Sequence, residues 1–163
     1  MLAAMVKLVP MTDAEFAEYL DTAVELYAQV HIKAGDCDAA DALELAQADY
    51  AMLLPEGLHT AGQYLYSVFD EATDARVGMI WFAVKERRGK KSAFIYDFLV
   101  SEEHRGKGYG AQTLSKVDRT VEKMGVARIS LNVMGHNHVA RALYEKQGYA
   151  ITGIGMTKIL RPE

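Results

Sequence analysis

An apolar stretch, a glycine-rich turn and an amphipathic stretch follow one another in residues 94–124, and this order limits the folds open to the chain. Residues 94–100, FIYDFLV, are mostly apolar and aromatic, which predicts a buried strand. The charged turn after it ends in RGKGYG at residues 105–110. Apolar residues then recur at helical spacing until Gly125, namely Ala111, Leu114, Val117, Val121 and Met124. These residues therefore predict a strand, a glycine loop and a helix.

The start of the predicted helix is suited to binding an anion. The first N–H groups of a helix have no partner inside the helix and lie at the positive end of its dipole. Gly106, Gly108 and Gly110 leave these groups accessible, and Arg105 and Lys107 add positive charge beside them. The pattern favours a ligand that carries a pyrophosphate group.

In these residues the chain resembles the GNAT family of N-acetyltransferases, whose signature is Arg or Gln, two residues, Gly, one residue, and then Gly or Ala. Arg105, Gly108 and Gly110 match that signature. The resemblance implies acetyl-CoA as the co-substrate, and it implies that main-chain groups near Leu99 and Val100 meet the pantetheine arm and the acetyl group. It also implies a pyrophosphate site made by Arg105, Gly106, Lys107, Gly108, Tyr109, Gly110 and Ala111.

A second segment matches the same family through Asn137, Ala140, Tyr144 and the pair Gly148-Tyr149. The resemblance implies that Asn137 and Ala140 bind the CoA arm and that the hydroxyl of Tyr144 lies near the thioester sulfur. A phenol with a pKa of about 10 stays protonated at neutral pH, so it can give a proton to a leaving thiolate. We therefore expect Tyr144 to be the general acid, and Asn137 also suits the N-cap of a helix.

Asp97 is a candidate for the base that takes a proton from the attacking amine. It lies in an otherwise apolar strand, where burial raises the pKa of a carboxyl toward that of a working base. A structural carboxylate bonded to backbone N–H groups or to an arginine is the alternative for Asp97, and a bound water is the alternative base. Glu102 and Glu103 lie in the charged turn, where solvated side chains are common. The acceptor pocket is expected from the first helices and the hairpin, where the available aromatic residues are Tyr27, Tyr64, Tyr66 and Trp81.

The rest of the chain predicts the element order β-α-α-β-β-β-α-β-α-β. Thr12 and Glu15 have the spacing of a capping box at the first helix, with Met11 and Phe16 placed as a hydrophobic staple. The second helix begins after Asp38. Strands are predicted at residues 6–9, 64–69, 77–84, 94–100, 127–133 and 149–160, with polar turns at 70–75 and 85–91.

These elements predict an α/β (α+β) fold in a single domain, residues 1–163. The resemblance implies a mixed, mostly antiparallel central sheet with splayed fourth and fifth strands and about four flanking helices. The final strand, if exposed, offers an edge through which two copies could pair as a homodimer.

Composition narrows the class of protein. The 163 residues carry a net charge of −4, which gives no general attraction to nucleic acid or to anionic membranes. No apolar run approaches the roughly 20 residues that a membrane span needs. Cys37 is the only cysteine, which is consistent with a reducing cytoplasm, and His136 and His138 lack a third ligand at suitable spacing for a metal. Translation could start at Met1 or at Met5.

The leading hypothesis is a cytoplasmic N-acetyltransferase that passes acetyl from acetyl-CoA to a primary amine of a small molecule or peptide, by direct attack in a ternary complex. One alternative is a non-catalytic module that binds acyl-CoA. The other is a dinucleotide-binding domain, because Gly106, Gly108 and Ala111 also satisfy the loose spacing of the dinucleotide fingerprint. The charged insertion before Gly106 and the lack of an acidic residue near the end of the next strand argue against it.

Overall fold

The computed structural model describes residues 5–35 and 37–161. Five strands are Val6–Pro10 (β1), Gln63–Asp70 (β2), Arg76–Arg87 (β3), Lys90–Val100 (β4) and Val126–Leu131 (β5). Four α-helices are Asp13–Ala34 (α1), Ala39–Leu53 (α2), Tyr109–Lys123 (α3) and His138–Lys146 (α4). Short 3-10 helices occupy Gly57–His59 and Glu102–His104. None of the helices described is both long and apolar enough to cross a membrane.

The strands form one sheet in the order β1-β2-β3-β4-β5. Neighbours are antiparallel except β4 and β5, which are parallel because α3 connects them as a crossover. The predicted mixed, mostly antiparallel sheet is therefore confirmed. Dinucleotide-binding domains use a mostly parallel, doubly wound sheet, so that alternative is wrong for this fold.

The pairing between the fourth and fifth strands stops before the fourth strand ends. Their pairing runs from Lys91 opposite Val126 to Ile95 opposite Leu131, and β5 ends there while β4 continues to Val100. Residues 96–100 thus extend past the end of β5, as the predicted splay requires.

The start of α1 follows the sequence signals closely. The side chain of Thr12 accepts a hydrogen bond from the N–H of Glu15, and the Glu15 carboxylate accepts one from the N–H of Thr12, so the capping box is present. Met11 is buried and Phe16 packs against the same apolar cluster. These contacts fix the direction in which α1 leaves β1.

The sheet has an apolar layer on each side. On the side of α1 and α2, the buried residues are Met11, Leu54, Leu65, Met79 and Trp81. Ile80 and Phe82 alternate with Met79 and Trp81, so they face the other side. The buried residues of α3, a helix that contacts β1, β4 and β5, include Leu114, Val117 and Val121.

The turn between β3 and β4 is shorter than predicted. A polar loop was expected over residues 85–91, but the strands continue to Arg87 and resume at Lys90. Arg88 and Gly89 have φ angles of 54° and 73°, and two left-handed residues are what a tight type I′ hairpin requires. The charged side chains on both strands are exposed, which hid the strand ends from a hydrophobicity pattern.

The chain divides into two compact units, Met1–Asn132 and Val133–Glu163, and the second unit differs from its prediction. The final strand predicted at 149–160 is wrong, because residues 150–159 form neither helix nor strand. Gly153 and Gly155 raise the entropic cost of an extended backbone, and no strand among the described residues pairs with this segment to offset that cost. Exposed apolar residues in this segment are Ile151, Ile154, Met156 and Ile159. Pairing of two copies, and a single domain over residues 1–163, stay predictions.

Candidate active site

The glycine loop leaves a run of backbone donors unused. Helix α3 begins at Tyr109 after Gly108, and its first backbone bond runs from the N–H of Gln112 to the carbonyl of Gly108, at 3.2 Å. Within residues 5–35 and 37–161, the N–H groups of residues 106–111 donate to no acceptor. Such a group of donors at a helix start is suited to an anion.

Gly106 and Gly108 have a conformational role in this loop. Their φ angles are 73° and 87°, a region that a residue with a Cβ adopts only at a cost. A Cβ at either position would meet nothing within 4 Å, so neither glycine is required by packing. The space around the loop stays open to a ligand.

The basic side chains of the loop bind backbone carbonyls on the preceding turn. Arg105 Nε donates to the carbonyl of Val100 at 3.0 Å, and Lys107 Nζ donates to the carbonyl of Glu103 at 3.0 Å. Both residues are exposed and keep their positive charge beside the unused N–H groups. Glu102 and Glu103 are also exposed, and Glu103 lies 3.5 Å from His104.

Tyr109 joins the first residue of α3 to the end of β2. Its hydroxyl donates a hydrogen bond to Oδ2 of Asp70, and both side chains are buried. The other carboxylate oxygen, Oδ1, accepts the N–H groups of Ala72 and Thr73 at 2.7 and 3.1 Å. The bond from Tyr109, followed by these backbone bonds, lowers the pKa of Asp70, so the carboxylate is charged at neutral pH. This contact fixes the position of the helix start.

A β-bulge determines which side of the sheet Asp97 faces. Trp81 pairs with Asp97 while the next residue, Phe82, pairs with Ile95, so Tyr96 is an extra residue on β4. Side chains alternate along a regular strand, so Asp97, two residues after the α3-facing Ile95, would also face the side of α3 if β4 paired without the bulge. The bulge turns Asp97 toward α1, on the same side as Trp81.

On that side Asp97 meets Tyr19 of α1. The Tyr19 hydroxyl donates a hydrogen bond of 2.7 Å to Oδ2 of Asp97. Burial raises the pKa of the Asp97 carboxyl, while the bonds from Tyr19 and from the N–H of Phe98 act in the opposite direction. Burial, and then the charge of Asp97, raises the pKa of Tyr19 well above its ordinary value. The phenol therefore stays a neutral donor.

Asp97 and Tyr19 line a cavity of about 240 Å³ between α1 and the end of the sheet. Leu99 and Met79 supply apolar walls, and Glu15, Glu18 and Arg76 line it as well. Arg76 pairs with both glutamates, with its Nη1 3.6 Å from Glu15 and its Nη2 2.9 Å from Glu18. Three carboxylates, of Glu15, Glu18 and Asp97, line the cavity with one cation, Arg76, so the cavity has an excess of negative charge.

The aromatic residues expected at an acceptor pocket lie on two different sides of the sheet. Trp81 is buried on the side of α1 and donates from Nε1 to Gln63 at 2.8 Å. Tyr64 and Tyr66 stack on Phe82, with ring centres 5.3 and 5.9 Å away, and Phe82 faces the opposite side. Alternation along β2 and β3 therefore places Tyr64 and Tyr66 on the opposite side of the sheet from Trp81, so these three aromatic residues do not line one pocket.

The second unit contains α4 with its predicted cap. Asn137 Oδ1 accepts the N–H of Ala140 at 3.1 Å, so the N-cap prediction is confirmed. Tyr144 is half-buried, and its ring lies edge-on to that of Tyr149 with centres 5.6 Å apart. The carbonyl of Tyr144 also accepts the N–H of Tyr149 at 3.0 Å. The roles of Asn137, Ala140 and Tyr144 toward acetyl-CoA stay predictions.

Sequence reasoning missed two residues that shape this site. Tyr19 lies three residues after Phe16 and four before Ala23, and this helical spacing was the available signal for its inward orientation. Gly78 is buried in β3, and a Cβ there would lie 2.1 Å from the carbonyl oxygen of Leu99. Nothing local to Gly78 indicates this close approach. Among the described residues, no group of three or more His, Cys, Asp or Glu side chains could hold a metal ion.

Comparisons with known proteins agree with this geometry. The sequence profile of the Acetyltransferase (GNAT) family matches residues 21–149. YycN of Bacillus subtilis, described as an uncharacterized N-acetyltransferase, is 38% identical over 155 residues, which cover 95% of this chain and 99% of YycN. YdgE of the same organism, described likewise, is 32% identical over 92% of this chain and 95% of its own length.

Solved structures share the fold. The crystal structure of YycN superposes with a TM-score of 0.88 at 37% identity, over 97% of this chain and 100% of that one. An acetyltransferase structure from Pyrococcus furiosus gives a TM-score of 0.67 at 21% identity, over 95% of this chain and 99% of that one. At that identity the second match reports on the fold alone.

Proposed function

Because the chain belongs to the acetyltransferase (GNAT) family, we propose that it transfers the acetyl group of acetyl-CoA to a primary amine of a small molecule or peptide, in a ternary complex. Members of this family are acyltransferases that generally use acetyl-CoA for N-acetylation. The observation that carries the proposal is the run of unused N–H groups at residues 106–111, directly after the strand that extends past β5.

In the proposed complex these N–H groups bind the pyrophosphate of acetyl-CoA. The positive end of α3, with Arg105 and Lys107, adds a favourable charge interaction. The main chain of residues 96–100 has no β5 residue beside it, so its groups on that side are available to the pantetheine arm and the acetyl group. This assigns Leu99 and Val100 to the thioester, with the Val100 carbonyl also held by Arg105.

The acceptor amine is proposed to enter the 240 Å³ cavity that contains Asp97. A larger groove of about 650 Å³ runs between α1 and α2, but it lacks Asp97 and the end of β4. The excess negative charge of the smaller cavity favours a cationic amine over an acceptor with a carboxylate or phosphate. Asp97 accepts a proton from the ammonium group, and the neutral nitrogen then attacks the thioester carbon.

The collapse of the tetrahedral intermediate breaks the bond between carbon and sulfur. We assign Tyr144 as the acid that protonates the leaving thiolate. The nitrogen releases its second proton as the amide forms, and transfer of this proton through solvent to the phenolate restores Tyr144. Cys37, the single cysteine, supports a reducing compartment, and we assign the enzyme to the cytoplasm.

An amine panel tests this function directly. Release of CoA thiol is measured with acetyl-CoA and each amine, and binding of acetyl-CoA is measured by thermal shift. Thiol release that requires an amine supports the proposal. A thermal shift without thiol release from any amine would instead indicate a non-catalytic acyl-CoA-binding module, and no shift with acetyl-CoA would overturn the proposal.

A matched pair of glycine variants tests the pyrophosphate site. Gly106 and Gly89 both have a φ of 73° and nothing within 4 Å of a built Cβ, so Gly106→Ala and Gly89→Ala each place a side chain on a left-handed residue with open space around it. Only Gly106 lies in the loop. We expect Gly106→Ala to weaken acetyl-CoA binding about tenfold or more, and Gly89→Ala to leave it unchanged. Equal effects of the two variants would remove the loop from the site.

A further inference from the structure

Asp97 receives a side-chain hydrogen bond from a helix far away in sequence. The donor is the hydroxyl of Tyr19, at 2.7 Å from Oδ2, and the two residues are 78 positions apart. The bulge at Tyr96 brings the carboxylate to the side of α1, and the ring of Tyr19 packs against the apolar cluster that contains Met79 and Trp81. A packed ring and a short bond together restrict where the carboxylate can lie.

On the basis of the proposed function, in which Asp97 is the base, we infer that Tyr19 is a positioning residue that orients the Asp97 carboxylate toward the acceptor amine. A carboxylate on a single-bonded side chain has rotational freedom that this bond removes. Oδ2 accepts the bond from Tyr19 and the carboxylate also accepts the N–H of Phe98, so a lone pair left over by these two fixed donors takes the proton of the amine. Tyr19 does not contact the reacting atoms in this assignment.

The hydrogen bond also affects the charge state of the base. A donor to a carboxylate favours its ionised form, which opposes the effect of burial on the pKa of Asp97. Without the bond from Tyr19, the Asp97 carboxylate would become protonated at a higher pH and would therefore act as a base over a narrower pH range. The titratable and charged groups around Asp97 are Tyr19, Glu15 and Glu18 on α1, Tyr50 on α2 and Arg76 on β3.

These neighbours leave Tyr19 as the residue that acts on Asp97 most directly. Arg76 pairs with both Glu15 and Glu18, so its charge is balanced locally. Burial raises the pKa of Tyr50 to about 12, and it is neutral under assay conditions. The Tyr19→Phe variant removes the one oxygen that bonds to Asp97 and keeps the ring in the apolar cluster.

A titration of Asp97 tests the inference without knowledge of the acceptor. Protein labelled with ¹³C at aspartate carboxyls is titrated by NMR, and Asp97→Asn identifies the resonance of Asp97. We expect its midpoint to lie at higher pH in Tyr19→Phe than in the natural chain, because the donor is lost. Tyr64→Phe is the control, since its ring stacks on Phe82 on the other side of the sheet.

Kinetics with the best amine of the panel test the positioning role. We expect Tyr19→Phe to lower kcat about tenfold and to move the acid limb of the pH profile to higher pH, with the KM for acetyl-CoA unchanged. If Tyr19 acts through Asp97, the double variant Tyr19→Phe with Asp97→Asn is as active as Asp97→Asn alone.

The two failures are distinguishable. A Tyr19→Phe variant with the natural titration midpoint and pH profile, alongside an impaired Asp97→Asn, would overturn the inference and leave the proposed base in place. An Asp97→Asn variant as active as the natural chain would overturn the base itself, and the role of Tyr19 with it. Thermal melting of each variant confirms that it is folded before these results are compared.

Discussion

Replacement of Gly78 by alanine tests whether the end of β4 must lie tightly against β3. Gly78 pairs with Val100, and an alanine Cβ would lie 2.1 Å from the carbonyl oxygen of Leu99, 3.2 Å from its carbon and 3.2 Å from the Cα of Val100. The contact partner is backbone, which cannot rotate away. Relief therefore requires the two strands to separate by about 1 Å at this point.

This displacement has consequences for stability and for activity. Overpacking of this kind typically costs about 1–3 kcal/mol of unfolding free energy, and we place Gly78→Ala at roughly 2–3 kcal/mol because only backbone atoms can move. In a chain of this size that corresponds to a melting temperature about 5–10 °C lower. Since Leu99 and Val100 are assigned to the thioester, a shift of about 1 Å is expected to lower kcat/KM by about 100-fold.

Thermal melting by circular dichroism and amine-dependent thiol release measure the two effects. Gly153→Ala is the control, because a Cβ at Gly153 meets nothing within 4 Å and its φ is outside the left-handed region. Its melting temperature is expected to change by less than about 2 °C. If Gly78→Ala melts and turns over like the natural chain, β4 does not require the close approach to Gly78 and the reasoning is refuted.

Three further results are expected. Tyr109→Phe removes the bond to the charged Asp70 and should lower the unfolding free energy measured by chemical denaturation, and an unchanged value would contradict the role of this bond. The folded-state pKa of Asp70 is lowered, so the stabilisation that its carboxylate provides is present above about pH 4 and is lost as pH falls through the folded pKa. The difference in unfolding free energy between the natural chain and Asp70→Asn should therefore shrink in acid, and a difference independent of pH would contradict this role of Asp70. Tyr144→Phe should lower kcat with little change in acetyl-CoA affinity, and an unchanged rate would exclude Tyr144 from the mechanism.

Local signals were sufficient for much of the fold and for the open backbone donors of the glycine loop. The capping box of Thr12 and Glu15 and the cap of Asn137 each depend on residues three apart, and both were predicted correctly. The open donors of the glycine loop at residues 106–110 were likewise predictable, because its glycines stand at every second residue just before the helix and at its start. Where neighbours in sequence determine the structure, the pattern of residue types is enough.

Features that depend on contacts between strands and helices were not predictable. The bulge at Tyr96 is a property of the pairing between β3 and β4, and residues 94–100 read as an uninterrupted strand. The partnership of Tyr19 with Asp97 spans 78 positions, and the close approach of Gly78 to Leu99 exists only after β3 and β4 have paired. The final strand was predicted from residue types alone, and no described ladder includes it.

The extra residue at the bulge also bears on how relatives of this chain are compared. From Asp97 onward, the side of the sheet that each β4 side chain faces depends on whether the strand pairs with a bulge before it. In a relative whose β4 has the same number of residues but pairs without the bulge, the residue aligned with Phe98 would face α1, and the residue aligned with Asp97 would face α3. Residues of β4 that are equivalent in function should therefore be identified by the side of the sheet that they face and not by their column in a sequence alignment. A relative without a carboxylate in the column of Asp97 can carry one in the next column.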